Sequence, residues 1–227
     1  MDIIPILYHI PFCYKANLLL TLNEFLKVKI SVICVNSLNN EDTSKLLEKS
    51  PTSSFPLLQI GDCFLSGTRA IMKYFISLSD NKQYNLIGLD NALESSLIEM
   101  WIDYTINNIW IIRENVILPK DNSKTDIENR NNNINENNEF KKNILNDLIN
   151  ILGKINSNLL FKTFLVGYNL TLADIVMACS LKDLFESKFV ESNLLSKMNN
   201  VLRWFKYVTN LNQYKAINGE FKTDLFN

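Results

Sequence analysis

The chain changes its hydrophobic periodicity near residue 80, and this change constrains the fold more than any other feature of the sequence. Before it, short apolar runs of strand length alternate with stretches whose apolar residues recur every three or four positions. After a polar linker over residues 79–85, only the helical spacing recurs. We therefore expect an α/β domain over residues 1–79 and an all-helical domain over residues 86–227.

The first domain opens with a βαβ pattern. Residues 3–10 are mostly apolar, and Pro11 ends this run because proline cannot donate to a sheet ladder. Residues 14–26 have helical spacing, and residues 29–35 alternate and are rich in β-branched side chains. The pattern predicts a buried strand, a helix and a second strand.

Four further elements are expected before the linker. Residues 41–48 are a short charged helix candidate, and the turn at 61–62 predicts a hairpin between apolar runs at 56–60 and 63–65. A helix over residues 68–78 closes the domain. The order βαβαββα is that of a thioredoxin-like domain, in which helices cover both faces of a small mixed sheet.

One long amphipathic helix is expected at the start of the second domain. Its apolar stripe steps by three and four residues through Leu93, Leu97, Trp101, Thr105, Ile109, Ile112 and Val116. Trp110 and Ile111 fall off this stripe. They either pack against the first domain or belong to a subunit interface, because exposed aromatic area of that size usually has a partner. Trp110 and Ile111 are therefore interface candidates, and we expect a homodimer or a higher assembly.

Residues 121–139 are rich in asparagine and nearly free of large apolar side chains. Such a segment buries too little apolar surface to offset the entropy lost on ordering, so we expect a flexible loop. The helical spacing resumes over residues 140–160. Further helices are expected over 172–185 and 201–210.

Residues 170–175 carry a helix-start signature. Thr171 can cap the helix, and Asp174 can accept a hydrogen bond from the Thr171 amide, as in a capping box. Leu170 and Ile175 stand where a hydrophobic staple would be. We interpret Thr171 and Asp174 as a structural cap, worth about 0.5–2 kcal/mol, rather than as a catalytic pair.

Composition argues against several functional classes. With 23 basic and 24 acidic residues, the chain has no excess of positive charge to release counterions from nucleic acid. The four cysteines lie far apart and His9 is the single histidine, so we expect no metal site and a structural role for His9. The N-terminus lacks a signal-like basic region, and no apolar stretch approaches the roughly 20 residues that cross a bilayer. We expect a cytoplasmic protein with reduced thiols.

Three stretches together resemble the glutathione transferase superfamily across nearly the whole chain. They are residues 54–58 (SFPLL), residues 65–71 (LSGTRAI) and residues 164–167 (FLVG) followed by the cap. The resemblance implies the glutathione-transferase fold, a thioredoxin-like domain followed by an all-helical one.

Within that superfamily, further stretches resemble the gamma subunit of eukaryotic translation elongation factor 1. They are residues 86–90 (LIGLD), 201–205 (VLRWF), 213–217 (QYKAI) and 219–222 (GEFK). This resemblance implies a non-catalytic scaffold that binds the nucleotide-exchange subunit of elongation factor 1.

The superfamily resemblance also implies a glutathione-like site in the first domain. Pro56 would follow a cis peptide, so that the backbone of Phe55 is offered to the peptide-like centre of glutathione. Cys13 stands where a Ser or Cys activates or bonds glutathione in several classes, and a helix N-terminus with Lys15 nearby would favour its thiolate. Ala16 stands where a dithiol motif would place its second thiol. The alternatives are a proline that shapes the sheet edge and a cysteine that fills a turn.

One departure weakens the enzyme interpretation. Members that bind glutathione usually place an acidic residue before the Ser or Thr of the second motif, whereas this chain has Gly67 before Thr68. Thr68 can still donate to a carboxylate. A charged hydrogen bond contributes roughly 1.5–3 kcal/mol, so its loss would weaken glutathione binding by about one to two powers of ten. We expect no required cofactor.

Two alternatives to the scaffold stay open. The chain could be an active glutathione transferase or thiol transferase that uses Cys13. It could also be an assembly module of an aminoacyl-tRNA synthetase complex, because the same fold is appended to such enzymes.

Overall fold

The structure is a computed structural model that describes residues 3–35, 40–79, 85–117, 130–187, 189–190 and 192–221. Residues 1–85 and 212–219 form one compact unit, and the remainder of the chain forms a second one.

Alternating strands and helices make up the first unit. In chain order they are β1 (Ile6–His9), α1 (Tyr14–Leu26), β2 (Ser31–Cys34), α2 (Asn40–Glu48), β3 (Leu57–Ile60), β4 (Cys63–Ser66) and α3 (Thr68–Leu78). This order confirms the predicted βαβαββα pattern, and α1 and α3 have the predicted bounds.

The four strands form one sheet in the order β2-β1-β3-β4. β1 pairs with β2 in parallel, whereas β3 is antiparallel to both of its neighbours. Leu7 of β1 and its partner Leu58 of β3 are fully buried. The core of the unit therefore includes the two central strands, whose neighbours on either side satisfy their backbone hydrogen bonds.

The longest helix of the first unit is α1, and its apolar face follows the spacing in the sequence. Its large buried side chains are Leu18, Leu19, Leu22, Phe25 and Leu26. The helix ends at Lys27, which takes a left-handed conformation (φ 57°) and donates its N–H to the carbonyl of Asn23 at 2.7 Å.

Only helices make up the described part of the second unit. They are α4 (Ala92–Tyr104), a π-helical segment (Thr105–Trp110), α5 (Ile111–Ile117), α6 (Arg130–Asn158), α7 (Leu172–Glu186), α8 (Ser192–Leu195) and α9 (Asn199–Asn210). An all-helical second part confirms the predicted fold class.

The Asn-rich segment differs from its prediction. Residues 121–129 lie outside the described residues, but from Arg130 onward the chain is helical as part of α6. The prediction of a flexible loop is therefore wrong for residues 130–139. Nucleation is the costly step of helix formation, and the apolar face further along α6 anchors the nucleus, so polar residues extend the same helix at little cost.

The predicted single helix over residues 93–116 is interrupted by the π-helical segment. A π turn holds more residues than an α turn and so shifts the faces of the helix that follows it. Trp110 is consequently buried, and its Nε1 donates to Oγ of Ser180 on α7 at 2.8 Å. Trp110 thus packs within the second unit and is unavailable as an interface residue, whereas the other interface candidate, Ile111, is exposed.

One helix lies in a unit other than the sequence predicted. α10 (Asn212–Asn218) belongs to the first unit, although we expected all of residues 86–227 in the second. Tyr214 of α10 is fully buried, and Asn218 Nδ2 donates to Thr21 Oγ1 of α1 at 2.7 Å. These contacts join positions that are far apart in the sequence. Local periodicity cannot predict such contacts.

Among the described helices, none combines the length and the apolar character that crossing a membrane requires.

Candidate functional site

Three loops leave the sheet of the first unit at the same end. Near the end of β1, Tyr8 pairs with Leu57 at the start of β3, and Leu57 pairs with Ser66 at the end of β4. The segments that follow β1, precede β3 and follow β4 therefore lie at one end of the sheet. These segments carry the four predicted site residues, which are Cys13, Phe55, Pro56 and Thr68.

Cys13 lies directly before α1, at its N-cap position. Its backbone carbonyl accepts the first helical hydrogen bond, from the N–H of Asn17 at 3.0 Å. The thiol accepts no hydrogen bond from the first turn of α1, all of which the structure describes. This half-buried thiol thus lies at the positive end of a 13-residue helix without acting as its cap.

Phe12 precedes Cys13 and is a feature that the sequence did not reveal. Its side chain is 99% exposed, and its backbone takes a left-handed conformation with φ 58°. Large side chains rarely adopt this conformation, which costs roughly 1–2 kcal/mol. No spacing rule would have found it, because the strain arises from the tight turn between β1 and α1.

The peptide bond between Phe55 and Pro56 is cis, as the resemblance implied. Pro56 is buried, Phe55 is half-buried, and β3 begins at the next residue. The backbone of Phe55 is therefore positioned at the end of the sheet where the three loops meet.

Gly67 and Thr68 begin α3 at the same end of the sheet. Gly67 is the N-cap residue, and its φ of 90° favours glycine over any residue with a Cβ. Among the described residues, no atom lies within 4 Å of where that Cβ would stand. Backbone conformation rather than crowding therefore disfavours an acidic residue here. The neighbouring Thr68 is buried and follows directly.

His9 is the last residue of β1, and Thr171 and Asp174 lie at the start of α7. The Nδ1 of His9 lies 2.9 Å from the carbonyl of its neighbour Ile10. Thr171 and Asp174 form a capping box at the start of α7, in which Asp174 Oδ2 accepts from the Thr171 N–H at 2.9 Å and hydroxyl at 2.8 Å.

Two further donors complete the environment of Asp174, and the sequence did not reveal either. Its Oδ1 accepts from the backbone N–H of Leu165 at 2.9 Å and from the indole Nε1 of Trp204 at 2.8 Å. The carboxyl is fully buried, and this desolvation raises its pKa above the ordinary value, while the four hydrogen bonds act in the opposite direction. Asp174 thus joins α7, α9 and the loop before α7.

Comparison with known families shows which family the chain belongs to. The glutathione S-transferase N-terminal domain matches residues 5–77, and the glutathione S-transferase C-terminal domain matches residues 115–212. Together the N-terminal and C-terminal domains of this family match most of the chain. The chain belongs to the glutathione S-transferase family.

Relatives of this glutathione S-transferase family member include proteins named elongation factor 1-gamma. The chain is 27% identical to elongation factor 1-gamma 3 of Oryza sativa subsp. japonica over 180 residues, or 79% of this chain and 40% of the relative. Elongation factor 1-gamma-B of Xenopus laevis is 24% identical over 186 residues, with 79% of this chain and 38% of the relative covered. The chain therefore spans about 40% of the length of the relatives that it matches.

A solved glutathione transferase of Bombyx mori has the same fold. Its TM-score is 0.76 with 18% identity, and the match covers 98% of this chain and 96% of the other.

Within the parts of the chain that the structure describes, no group of three or more His, Cys, Asp or Glu side chains could hold a metal ion. The polar side chains at this end of the sheet include the half-buried thiol of Cys13 and the buried hydroxyl of Thr68.

Proposed function

We propose that this chain is a binding module that holds the nucleotide-exchange subunit of elongation factor 1 in the cytosol and has no catalytic role of its own. The observation that carries the proposal is the similarity to proteins named elongation factor 1-gamma over 79% of the chain.

Gly67 supports this proposal over an enzyme. A ligand amino group at the sheet end would find no carboxylate at position 67, and the φ of 90° there disfavours one. Without that charged hydrogen bond, which is worth roughly 1.5–3 kcal/mol, glutathione would bind about ten- to a hundredfold more weakly.

A glutathione or thiol transferase that uses Cys13 is the second candidate. The observation in its favour is that the Cys13 thiol lies at a helix N-terminus and at the same sheet end as Phe55, Pro56 and Thr68. A transferase would use this thiol as its nucleophile.

A pull-down from cytosol separates the candidates. The tagged chain and its Cys13→Ala variant are each used as bait, and the captured proteins are identified by mass. The binding module predicts equal capture of the exchange-factor subunit by both. Capture of aminoacyl-tRNA synthetases instead would favour the assembly-module alternative.

Immobilised glutathione provides the reciprocal test. Retention of the chain, together with a glutathione-dependent turnover that Cys13→Ala abolishes, would contradict a purely non-catalytic role. Thr68→Ala is a matched variant at the same sheet end, because it removes a donor without touching the thiol.

A further inference from the structure

The second unit carries a surface of aromatic and basic residues that the candidate site does not use. We call it the α9 patch, and it consists of Phe161, Tyr168, Arg203, Lys206 and Tyr207. The three rings are exposed to 83%, 74% and 54% in that order. Single exposed apolar residues are ordinary, but three exposed rings on adjoining segments indicate an interaction surface.

The loop before α7 is fastened to α9, so the patch is preformed. Arg203 Nη2 donates to the carbonyls of Leu159 and Lys162, each at 2.8 Å. The ring of Tyr207 meets that of Phe164 edge to face, with centroids 5.5 Å apart. A surface held in this way loses little conformational entropy when a partner binds.

A shallow, open depression of about 510 Å³ lies on the α9 side of the patch. This volume falls within the range of roughly 300–1,000 Å³ that is typical of ligand clefts. Two cations, one aromatic ring, one amide and one aliphatic side chain line it: Arg203, Lys206, Tyr207, Asn210 and Leu211. The lining thus suits a partner that offers negative charge and apolar side chains together.

The charged residues in the segments around the patch are all basic, in a chain whose charges otherwise balance. Residues 192–211 contain three basic residues and no acidic one, and residues 154–173 contain two basic residues and no acidic one. The whole chain has 23 basic and 24 acidic residues. These two segments therefore carry only positive side chains, which favours an acidic partner.

We propose that the α9 patch docks an acidic peptide segment of a partner protein, with carboxylates near Arg203 and Lys206 and apolar side chains against the exposed rings. The guanidinium of Arg203 has five donors, and its two carbonyl partners leave others available for a carboxylate. The inference is independent of the proposed function, because it specifies the chemistry of the peptide segment and not the identity of the partner protein that carries it.

A peptide fits the patch better than nucleic acid does. A nucleic acid strand extends far beyond one depression, and the chain has no excess of positive charge to bind the rest of it. A peptide that alternates acidic and apolar residues matches both features of the patch within a single depression.

Fluorescence anisotropy with the whole chain tests the proposal. The probe is a fluorescein-labelled peptide in which Asp-Glu pairs alternate with Leu-Phe pairs. We expect saturable binding that weakens as salt is added, about a tenfold loss of affinity with Lys206→Glu and at least about a threefold loss with Phe161→Ser.

Matched controls make the test decisive. Lys73→Glu and Phe140→Ser make the same changes at exposed positions on α3 and α6, and circular dichroism verifies that each variant is folded. The proposal is overturned if the chain does not bind the probe, or if the controls weaken binding as much as the patch variants do. Equal binding of a peptide with Ser in place of Leu and Phe, or of oligouridylate, would show that the patch attracts polyanions in general. That result would also overturn the proposal.

Discussion

At the scale of single residues, Asp174 shows what a local motif can and cannot predict. The pattern of Thr171 and Asp174 predicts the bond to the Thr171 amide, because both partners lie within one helical turn. The bonds from Leu165 and Trp204 come from 9 and 30 positions away, so no spacing rule anticipates them. A buried indole N–H requires an acceptor, and only coordinates identify which one it has.

The first prediction concerns the pH dependence of stability through Asp174. Burial raises the pKa of this carboxyl in the folded state above the ordinary 3.8. Because the pKa is raised in the folded state, the protonated carboxyl contributes fully to the free energy of unfolding below pH 3.8. This contribution is lost as pH rises through the folded pKa. Urea unfolding from about pH 3 to about pH 8 should show the free energy of unfolding of the wild type falling relative to that of Asp174→Asn as pH rises.

The control is Asp147→Asn, which removes an exposed carboxylate of α6. A wild-type stability that instead rises with pH relative to Asp174→Asn would mean that the four hydrogen bonds outweigh the cost of burial, contrary to our account.

The second prediction concerns the strained backbone at Phe12. Phe12→Gly removes a ring that is 99% exposed and relieves a left-handed φ of 58°. Relief of roughly 1–2 kcal/mol offsets the greater chain entropy of glycine, roughly 0.5–1 kcal/mol, so unfolding should cost up to about 1.5 kcal/mol more. Urea denaturation measures the change.

Phe12→Ala is the matched variant, since it removes the ring and keeps the strain. If Phe12→Ala stabilises the chain as much as Phe12→Gly, then exposure of the ring rather than backbone strain is responsible.

At the scale of elements, the first unit was largely predictable and the second was less so. Strand-length apolar runs and helical spacing identified all seven elements from β1 to α3. The apolar stripe that begins at Leu93 predicted one continuous helix, but the π-helical segment interrupts it at residues 105–110. Sequence periodicity assumes a constant pitch, so it could not place Trp110 in the core.

The third prediction is a coupling between Trp110 and Ser180. Their hydrogen bond of 2.8 Å is buried and joins the π-helical segment to α7. Trp110→Phe and Ser180→Ala each remove one partner of this bond. A double-mutant cycle then gives the interaction free energy between the two side chains. We expect a coupling of about 1 kcal/mol in the free energy of unfolding, measured by urea denaturation.

The cycle has an internal check, because the bond that Ser180 donates to the carbonyl of Val176 at 2.6 Å does not involve Trp110. That bond cancels in the cycle. Strictly additive effects of the two substitutions would contradict a stabilising bond.

At the scale of the whole molecule, the sequence identified candidate residues at one end of the sheet but assigned one helix to the wrong unit. The resemblance identified Cys13, Phe55, Pro56 and Thr68, and the register of the sheet brings their loops to one end. It did not assign α10 to the first unit, because contacts such as Asn218 to Thr21 span 197 positions. Pairings of that range are set by packing rather than by local pattern.

The fourth prediction is that the chain assembles as a homodimer or larger. Of the two interface candidates, Trp110 is buried, whereas Ile111 on α5 is 55% exposed and is available for an interface. Light scattering at micromolar concentration should give a mass well above the 26.2 kDa of one chain, and Ile111→Glu should lower it because a buried unpaired charge is costly. Leu89→Glu is a control at another exposed aliphatic residue. A mass of one chain for the wild type would exclude the assembly.

Isothermal titration of the purified chain with the purified exchange-factor subunit tests the central claim most directly. Wild type and Cys13→Ala are titrated side by side, and each is also titrated with glutathione. The account predicts saturable binding of the subunit that Cys13→Ala changes less than about twofold, with glutathione binding weak or undetected. Absence of subunit binding, together with tight glutathione binding that depends on Cys13, would contradict it.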